Sequence, residues 1–265
     1  MILAPGTILQ RMYLRERLAH LASGRFLEVG VGGGTMTDVL LDRGWTGIGY
    51  EVSAEAARLA AARLDRHIRQ GRFTILQEDW LSADDDAPPA DLIISSMVLE
   101  HLSEADERAY FRRCARALGP AGLAILIVPA SPTHWGIEDE VAGHYRRYTS
   151  DTMRMMLCDV GWKPTHIAGL TFPVSNLLLP LSNALVARTE SHKCSASMAE
   201  RTRASGHRTV PLKTAFPRML GLVLNELVLY PAHLLQKLAR RHAAALVLYV
   251  EARPARARHP AATTR

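Results

Sequence analysis

Apolar positions along this chain follow two alternating rhythms. From Tyr13 to Ala22 they fall at helical spacing, with Leu14, Leu18 and Leu21 on one side, and Ser23-Gly24 ends the predicted helix. Short apolar runs follow: FLEVG (26–30), GIGYEV (47–52), FTIL (73–76), DLIISS (91–96) and GLAILIV (122–128). Each has the length of a strand, and helical stretches lie among them at Thr35 to Arg43, Ala54 to Arg69 and Glu104 to Leu118. Strands alternating with helices in this way need right-handed crossovers, which lay parallel strands side by side and cover both sheet faces with helices. The pattern predicts a doubly wound α/β fold with a mostly parallel sheet.

Beyond Pro129 the rhythm changes. A polar and aromatic loop, SPTHWGIEDEVAGHYRRYT (131–149), leads to a helix predicted from Asp151 to Val160 and a sixth strand near Thr165 to Leu170. The next segment of strong strand character is ALVLYVEAR (245–253). If those two strands pair, residues 171–243 intervene where α/β connections usually take about 2–6 residues, so this stretch is an insertion with its own task. The expected organisation is an N-terminal helix (1–24), a core (25–170), the insertion (171–243), a final seventh strand (244–253) and a disordered basic tail (254–265).

Composition sharpens this picture. At 265 residues and 48% hydrophobic the chain can bury a sizeable core, which excludes collagen-like, wholly disordered and disulfide-stapled proteins. The net charge of +6 conceals an asymmetry: from Arg188 onward there are 14 basic and 4 acidic residues, whereas the preceding part is slightly acidic. Cys114, Cys158 and Cys194 are far apart and odd in number, which suits a reducing cytoplasmic setting. MILAPGTILQRMYLRERL places its apolar run before its positive charges and reads as no signal peptide, so secretion is not expected.

The first candidate chemistry lies where the first strand meets the first helix, at Glu28-Val29-Gly30-Val31-Gly32-Gly33-Gly34-Thr35. Glycines there permit positive φ and close approach of a ligand, and the free N–H groups of the helix start favour anions. Glu51 ends the second strand, where a carboxylate can accept both hydroxyls of a ribose. A dinucleotide fingerprint would need glycine or alanine at Thr35, which disfavours an NAD-dependent oxidoreductase.

With EVGVGGG, the YE pair ending strand two, QEDW after strand three, VLEHL after strand four, and GHYRRYT before a helix ending in GW, the chain resembles the class I S-adenosylmethionine-dependent methyltransferases from about Gln10 to Trp162. The resemblance implies a seven-stranded Rossmann-like sheet and S-adenosylmethionine as cofactor. It implies that Gly30, Gly32 and Gly34 form the turn under the methionine part, with Glu28 organising that loop. Glu51 would hold the ribose, Asp79 would accept from the adenine amino group, and Trp80 would pack near the ring.

Methyl transfer from a sulfonium needs positioning, exclusion of water and, for a hydroxyl acceptor, a general base. Candidate catalytic groups facing the carboxyl ends of the strands are His144 and His101; His134, Tyr145, Arg146, Arg147 and Tyr148 are candidates for the acceptor. Arg146 and Arg147 can equally pair with Asp139 and Glu140 nearby. No spacing resembles a metal centre, and none is expected. The insertion combines an uncharged stretch (164–187), a basic one from Arg188 to Arg218 expected to be mobile or partly ordered, and a second apolar one (219–235). It reads as a lid over a small or lipid-like acceptor, as a membrane-surface contact, or as a homodimer arm. The absence of the Asn/Asp-Pro-Pro-aromatic signature after strand four speaks against nucleic acid. A non-catalytic nucleoside-binding partner protein is a further alternative.

Overall fold

Alternation along the strands builds the two halves of the core. In β5 (Leu118–Pro129) Ile125 and Ile127 face one side with Leu14, Leu18, Phe26, Leu40, Leu64 and Tyr249, while Leu126 and Val128 face the other with Leu27, Ile93, Phe111, Trp162 and Val250. Each such side chain contributes about 1.5–3 kcal/mol on burial. A strand buried on both faces belongs in the middle of a sheet covered by helices on each side. The computed structural model, which describes residues 2–84, 88–190, 201, 210 and 216–255, has that architecture.

Around β5 lie β1 (Arg25–Val29), β2 (Thr46–Tyr50), β3 (Phe73–Leu76), β4 (Ala90–Ser96), β6 (Trp162–Leu170) and β7 (Val247–Pro254). Their order is β3-β2-β1-β4-β5-β7-β6. The first five strands are parallel; β7 runs antiparallel to both β5 and β6. The covering helices are α1 (Pro5–Leu18), α2 (Thr35–Asp42), α3 (Ala54–Arg69), α4 (Glu104–Ala117), α5 (Ile137–Ala142) and α6 (Ser150–Asp159). Ser53, Ser103 and Thr149 cap α3, α4 and α6 with side-chain oxygens that accept from backbone N–H groups.

Several boundaries depart from expectation, β5 among them, which begins at Leu118 instead of Gly122. The N-terminal helix begins at Pro5 and ends at Leu18, earlier than the stretch predicted from Tyr13 to Ala22. Proline is suited to a first helical turn, and Ile8, Leu9 and Met12 extend the apolar face to meet the insertion. β6 begins at Trp162, because Trp162 to Pro164 already pair with β7.

Within the insertion, α7 (Val174–Glu190) and α8 (Tyr230–Leu238) are helical. Most of the basic stretch between them, Cys194 and the tail from residue 256 lie outside the described residues. Because β6 runs opposite to β7, which runs opposite to β5, β6 ends at the same sheet edge as β1 to β5. Leu170 and Pro129 both pair with Val247 there, so the insertion leaves and re-enters the core at the carboxyl edge. It is fastened to α1: Val174, Leu224, Leu229 and Ala232 pack on Ile8, Leu9 and Met12, and Glu16 pairs with His233 and Lys237. Gln236, fully buried, donates to the Leu9 carbonyl at 3.0 Å and accepts from the Thr171 N–H at 2.9 Å.

Candidate functional site

The glycine turn and three strained residues mark the carboxyl edge. Met97, Ser131 and Thr171, directly after or two residues past β4, β5 and β6, have φ of 56°, 60° and 68°. A non-glycine residue in that region costs about 1–3 kcal/mol and persists only where its surroundings hold it. Gly30, Gly32 and Gly34 have φ of 75°, 54° and 72°. At Gly30 the requirement is double, since a Cβ would also stand 2.5 Å from Cγ2 of Val98. The turn therefore presses against the segment that follows β4.

Glu28, Glu51 and Thr37 hold the turn in shape. Thr37 Oγ1 donates to Glu28 Oε2 at 2.5 Å, and burial pushes the Glu28 carboxyl up to about 8. Glu51, also buried, accepts from the N–H groups of Gly32 and Ser53, each at 2.8 Å. It thereby ties the glycine turn to the end of β2. Asp79 is exposed, and its Oδ1 accepts from the Leu81 N–H at 3.0 Å, the geometry of a turn cap. Trp80 is 4% exposed, edge-on to Tyr50 at 4.9 Å and with the Arg113 guanidinium 4.5 Å over its ring, so it backs the site rather than offering an open face.

Across Val98 from the glycine turn lies a second group of side chains. Glu100 and His101 sit on a 3₁₀ turn (Leu99–His101), and the 131–149 loop folds over it, pinned by the Tyr145 N–H donating to the Glu100 carbonyl at 2.7 Å. His144 and His101 meet edge to face with ring centres 4.8 Å apart. His144 Nδ1 lies 2.8 Å from Asp139 Oδ1, and His101 Nδ1 lies 3.3 Å from the Gly143 carbonyl. Asp139 is buried on α5 and also accepts from Arg147 at 2.7 Å and the Gly136 N–H at 3.0 Å. These donors hold its carboxyl down to about 2 against the opposing effect of burial. Burial depresses His101 to about 4 and pushes Glu100 up to about 7.

The residues expected at the acceptor divide into two sets. Tyr145 is half exposed, and His134, near the edge, lies 2.8 Å from Ser131 Oγ through Nδ1. Arg147, Arg146 and Tyr148 are instead engaged with the protein. Arg147 pairs with Asp139, as its alternative reading expected, and donates to the Ala130 carbonyl; Arg146 pairs with Glu107 of α4, not Glu140, and Tyr148 donates to that same carboxylate. Their charges and hydroxyl support the loop, a correction that follows from Glu107 being a buried acid in need of donors.

Sequence reasoning passed over Glu100 and Glu107. The available signal was an acid inside an apolar run, as in VLEHL, where a solvated carboxylate would not be expected. No metal centre was expected either, yet donor atoms of Glu100, His101 and His144 lie within 4.8 Å of one another.

Residues 8–167 match the model of a family described as a methyltransferase domain. An uncharacterized methyltransferase of Geobacillus kaustophilus is 35% identical over 36% of this chain and 42% of its own length. A ubiquinone biosynthesis O-methyltransferase of Alkalilimnicola ehrlichii is 30% identical over 43% of this chain and 44% of its own. The chain thus spans less than half the length of these curated relatives. Among solved structures, the pyocyanin biosynthetic protein PhzM shares the fold with a TM-score of 0.50, at 18% identity over 61% of this chain and 52% of its own. Magnesium protoporphyrin IX methyltransferase of Synechocystis, with bound S-adenosylhomocysteine, does so with a TM-score of 0.50 at 15% identity over 62% and 78%.

Proposed function

The chain belongs to the methyltransferase-domain family, the class I S-adenosylmethionine-dependent methyltransferases, and from that premise we propose that it methylates an oxygen or nitrogen of a small or lipid-like molecule. The observation that carries this reading is the contact between the two halves of the site: the glycine turn, suited to the cofactor, meets Val98, two residues before Glu100 in the histidine cluster. Gly30, Gly32 and Gly34 would lie under the methionine part, Glu51 at the ribose, and Asp79 and Trp80 on the adenine side. The acceptor would enter between the cluster and the 131–149 loop, touching His134 and Tyr145.

Bound S-adenosylmethionine would supply an electrophilic methyl group for a lone pair of the acceptor, with the thioether of S-adenosylhomocysteine as the leaving group, while Gly30, Gly32, Gly34 and Glu51 would hold it in place. The acceptor's proton departs on the side of His144 and His101. Calorimetry with S-adenosylmethionine followed by single-turnover assays on a panel of hydroxyl and amine acceptors tests the reading. His144→Ala should slow turnover at least tenfold with cofactor affinity nearly unchanged; equal loss of both removes His144 from the acceptor side.

The described part of the insertion serves in this reading as a cover at the carboxyl edge, since α7 packs beside α5, with Asn183 close to Gly136. A lipid-like acceptor is favoured by exposed apolar side chains on the insertion, Leu177, Met219, Leu222, Leu227 and Leu238 among the described residues. Similarity to a ubiquinone biosynthesis O-methyltransferase supports the same class. Among the described residues no helix is long and apolar enough to cross a membrane.

A further inference from the structure

We propose that Glu100, His101 and His144 form a binding site for one divalent first-row transition metal ion, of the class of zinc or manganese, at the acceptor side of the cleft. The proposal rests on the methyltransferase reading only for its catalytic consequence; the ion-binding geometry stands on its own observations.

The first is an unsatisfied carboxylate. The Glu100 side chain is fully buried, and among the described residues neither of its carboxylate oxygens has a well-formed hydrogen bond, its own backbone N–H giving only weak support. A buried carboxylate without donors is costly unless paired or bound to a metal. His144 Nε2 lies 3.9 Å from Glu100 Oε1, too far for a hydrogen bond. Asp139, the other buried acid here, is already satisfied by Arg147, His144 and the Gly136 N–H.

The second is the orientation of the imidazoles. Asp139 and the Gly143 carbonyl can only accept, so the Nδ1 atoms of His144 and His101 are the donors in those two contacts. In each neutral ring the lone pair is then on Nε2. Metal-binding histidines are oriented in the same way, with the second nitrogen donating to a carboxylate or a backbone carbonyl. The supports are built into the fold: Asp139 sits on α5, and Gly143 at its C-terminal end has φ of 74°.

The third is spacing and donor chemistry. Donor atoms of the three side chains lie within 4.8 Å of one another, and ligands around a metal at about 2.1 Å stand roughly 3–3.5 Å apart, so loading needs a closure of about an ångström. Two imidazoles and one carboxylate suit zinc, manganese or iron better than magnesium, which prefers oxygen, and three protein ligands leave a position open. An acceptor hydroxyl at that position would be polarised for loss of its proton, which is the task assigned above to the two histidines.

The test uses the whole chain, stripped with chelator and dialysed against zinc, manganese or magnesium chloride, with bound metal counted by mass spectrometry. One equivalent of zinc or manganese per chain is expected. Glu100→Gln and His144→Gln should each weaken binding at least tenfold, and Asp139→Asn about tenfold through His144. Cobalt loading gives a second readout that needs no variant: visible absorption bands of a nitrogen- and oxygen-ligated ion. Less than a tenth of an equivalent with every ion, variants that are folded and bind as tightly as the unaltered chain, or a cobalt spectrum equal to that of the free ion would each overturn the proposal. Cofactor calorimetry on the stripped protein separates the two readings. Metal failure with intact S-adenosylmethionine binding sinks only the metal site, and loss of cofactor binding with one metal bound sinks only the methyltransferase reading.

Discussion

Three carboxylates close in sequence to the catalytic edge differ in task because their surroundings differ. Glu28, buried with a single hydroxyl donor, is pushed up to about 8, so between its unfolded value near 4.5 and 8 the folded chain holds a proton that the unfolded chain has released. Stability must therefore fall as pH rises through that window, by about 1.4 kcal/mol per pH unit from this residue. Glu28→Gln cannot ionise; denaturant melts should show it gaining on the unaltered chain from pH 5 to 8, and parallel pH curves would contradict the assignment. Glu51 differs in its partners, accepting from two backbone N–H groups. Replacing it by alanine removes the proposed ribose acceptor and frees the Gly32 N–H, so affinity for S-adenosylmethionine should drop tenfold or more by calorimetry. The sequence placed both residues through the spacing around the glycines. It did not single out Glu100: VLEHL shows an acid within an apolar run, but only the fold shows which groups surround it.

Elements were legible to the extent that their signals are local. α3 and β3 have the bounds that their sequence predicts, because Ser53 caps one and a short β-rich run sets the other. α1 differs since its N-terminal half is amphipathic toward a partner some two hundred residues away, which no local window contains. That contact makes Gln236 a strong test of the insertion's anchoring. Gln236→Ala leaves the Thr171 N–H buried without its acceptor and removes a second bond to the Leu9 carbonyl, a cost of about 2 kcal/mol and a loss of roughly 5 °C in melting temperature. Calorimetric scanning checks this; a loss below a degree would mean that the insertion docks without it.

At the scale of the molecule, the fold is a cofactor domain whose carboxyl edge is flanked by an insertion that is net basic, with ten Lys and Arg against three Glu. Flotation with vesicles containing anionic lipid should recover the protein at low salt and release it as salt rises, whereas vesicles of neutral lipid should not. Absence from the floating fraction at low salt would leave the insertion as a lid alone. The sequence by itself determined the existence and parallel direction of the first five strands, the glycine turn and its two carboxylates, because alternation, helix periodicity and glycine spacing are properties of short stretches of chain. Only the tertiary structure decided that the insertion starts and ends beside the cleft and leans on α1, that Arg147 and Tyr148 turn inward to Asp139 and Glu107, and that Glu100 meets two histidines. Those outcomes depend on which distant groups satisfy one another once water is excluded, and burial of a charge has no meaning until the fold has formed around it.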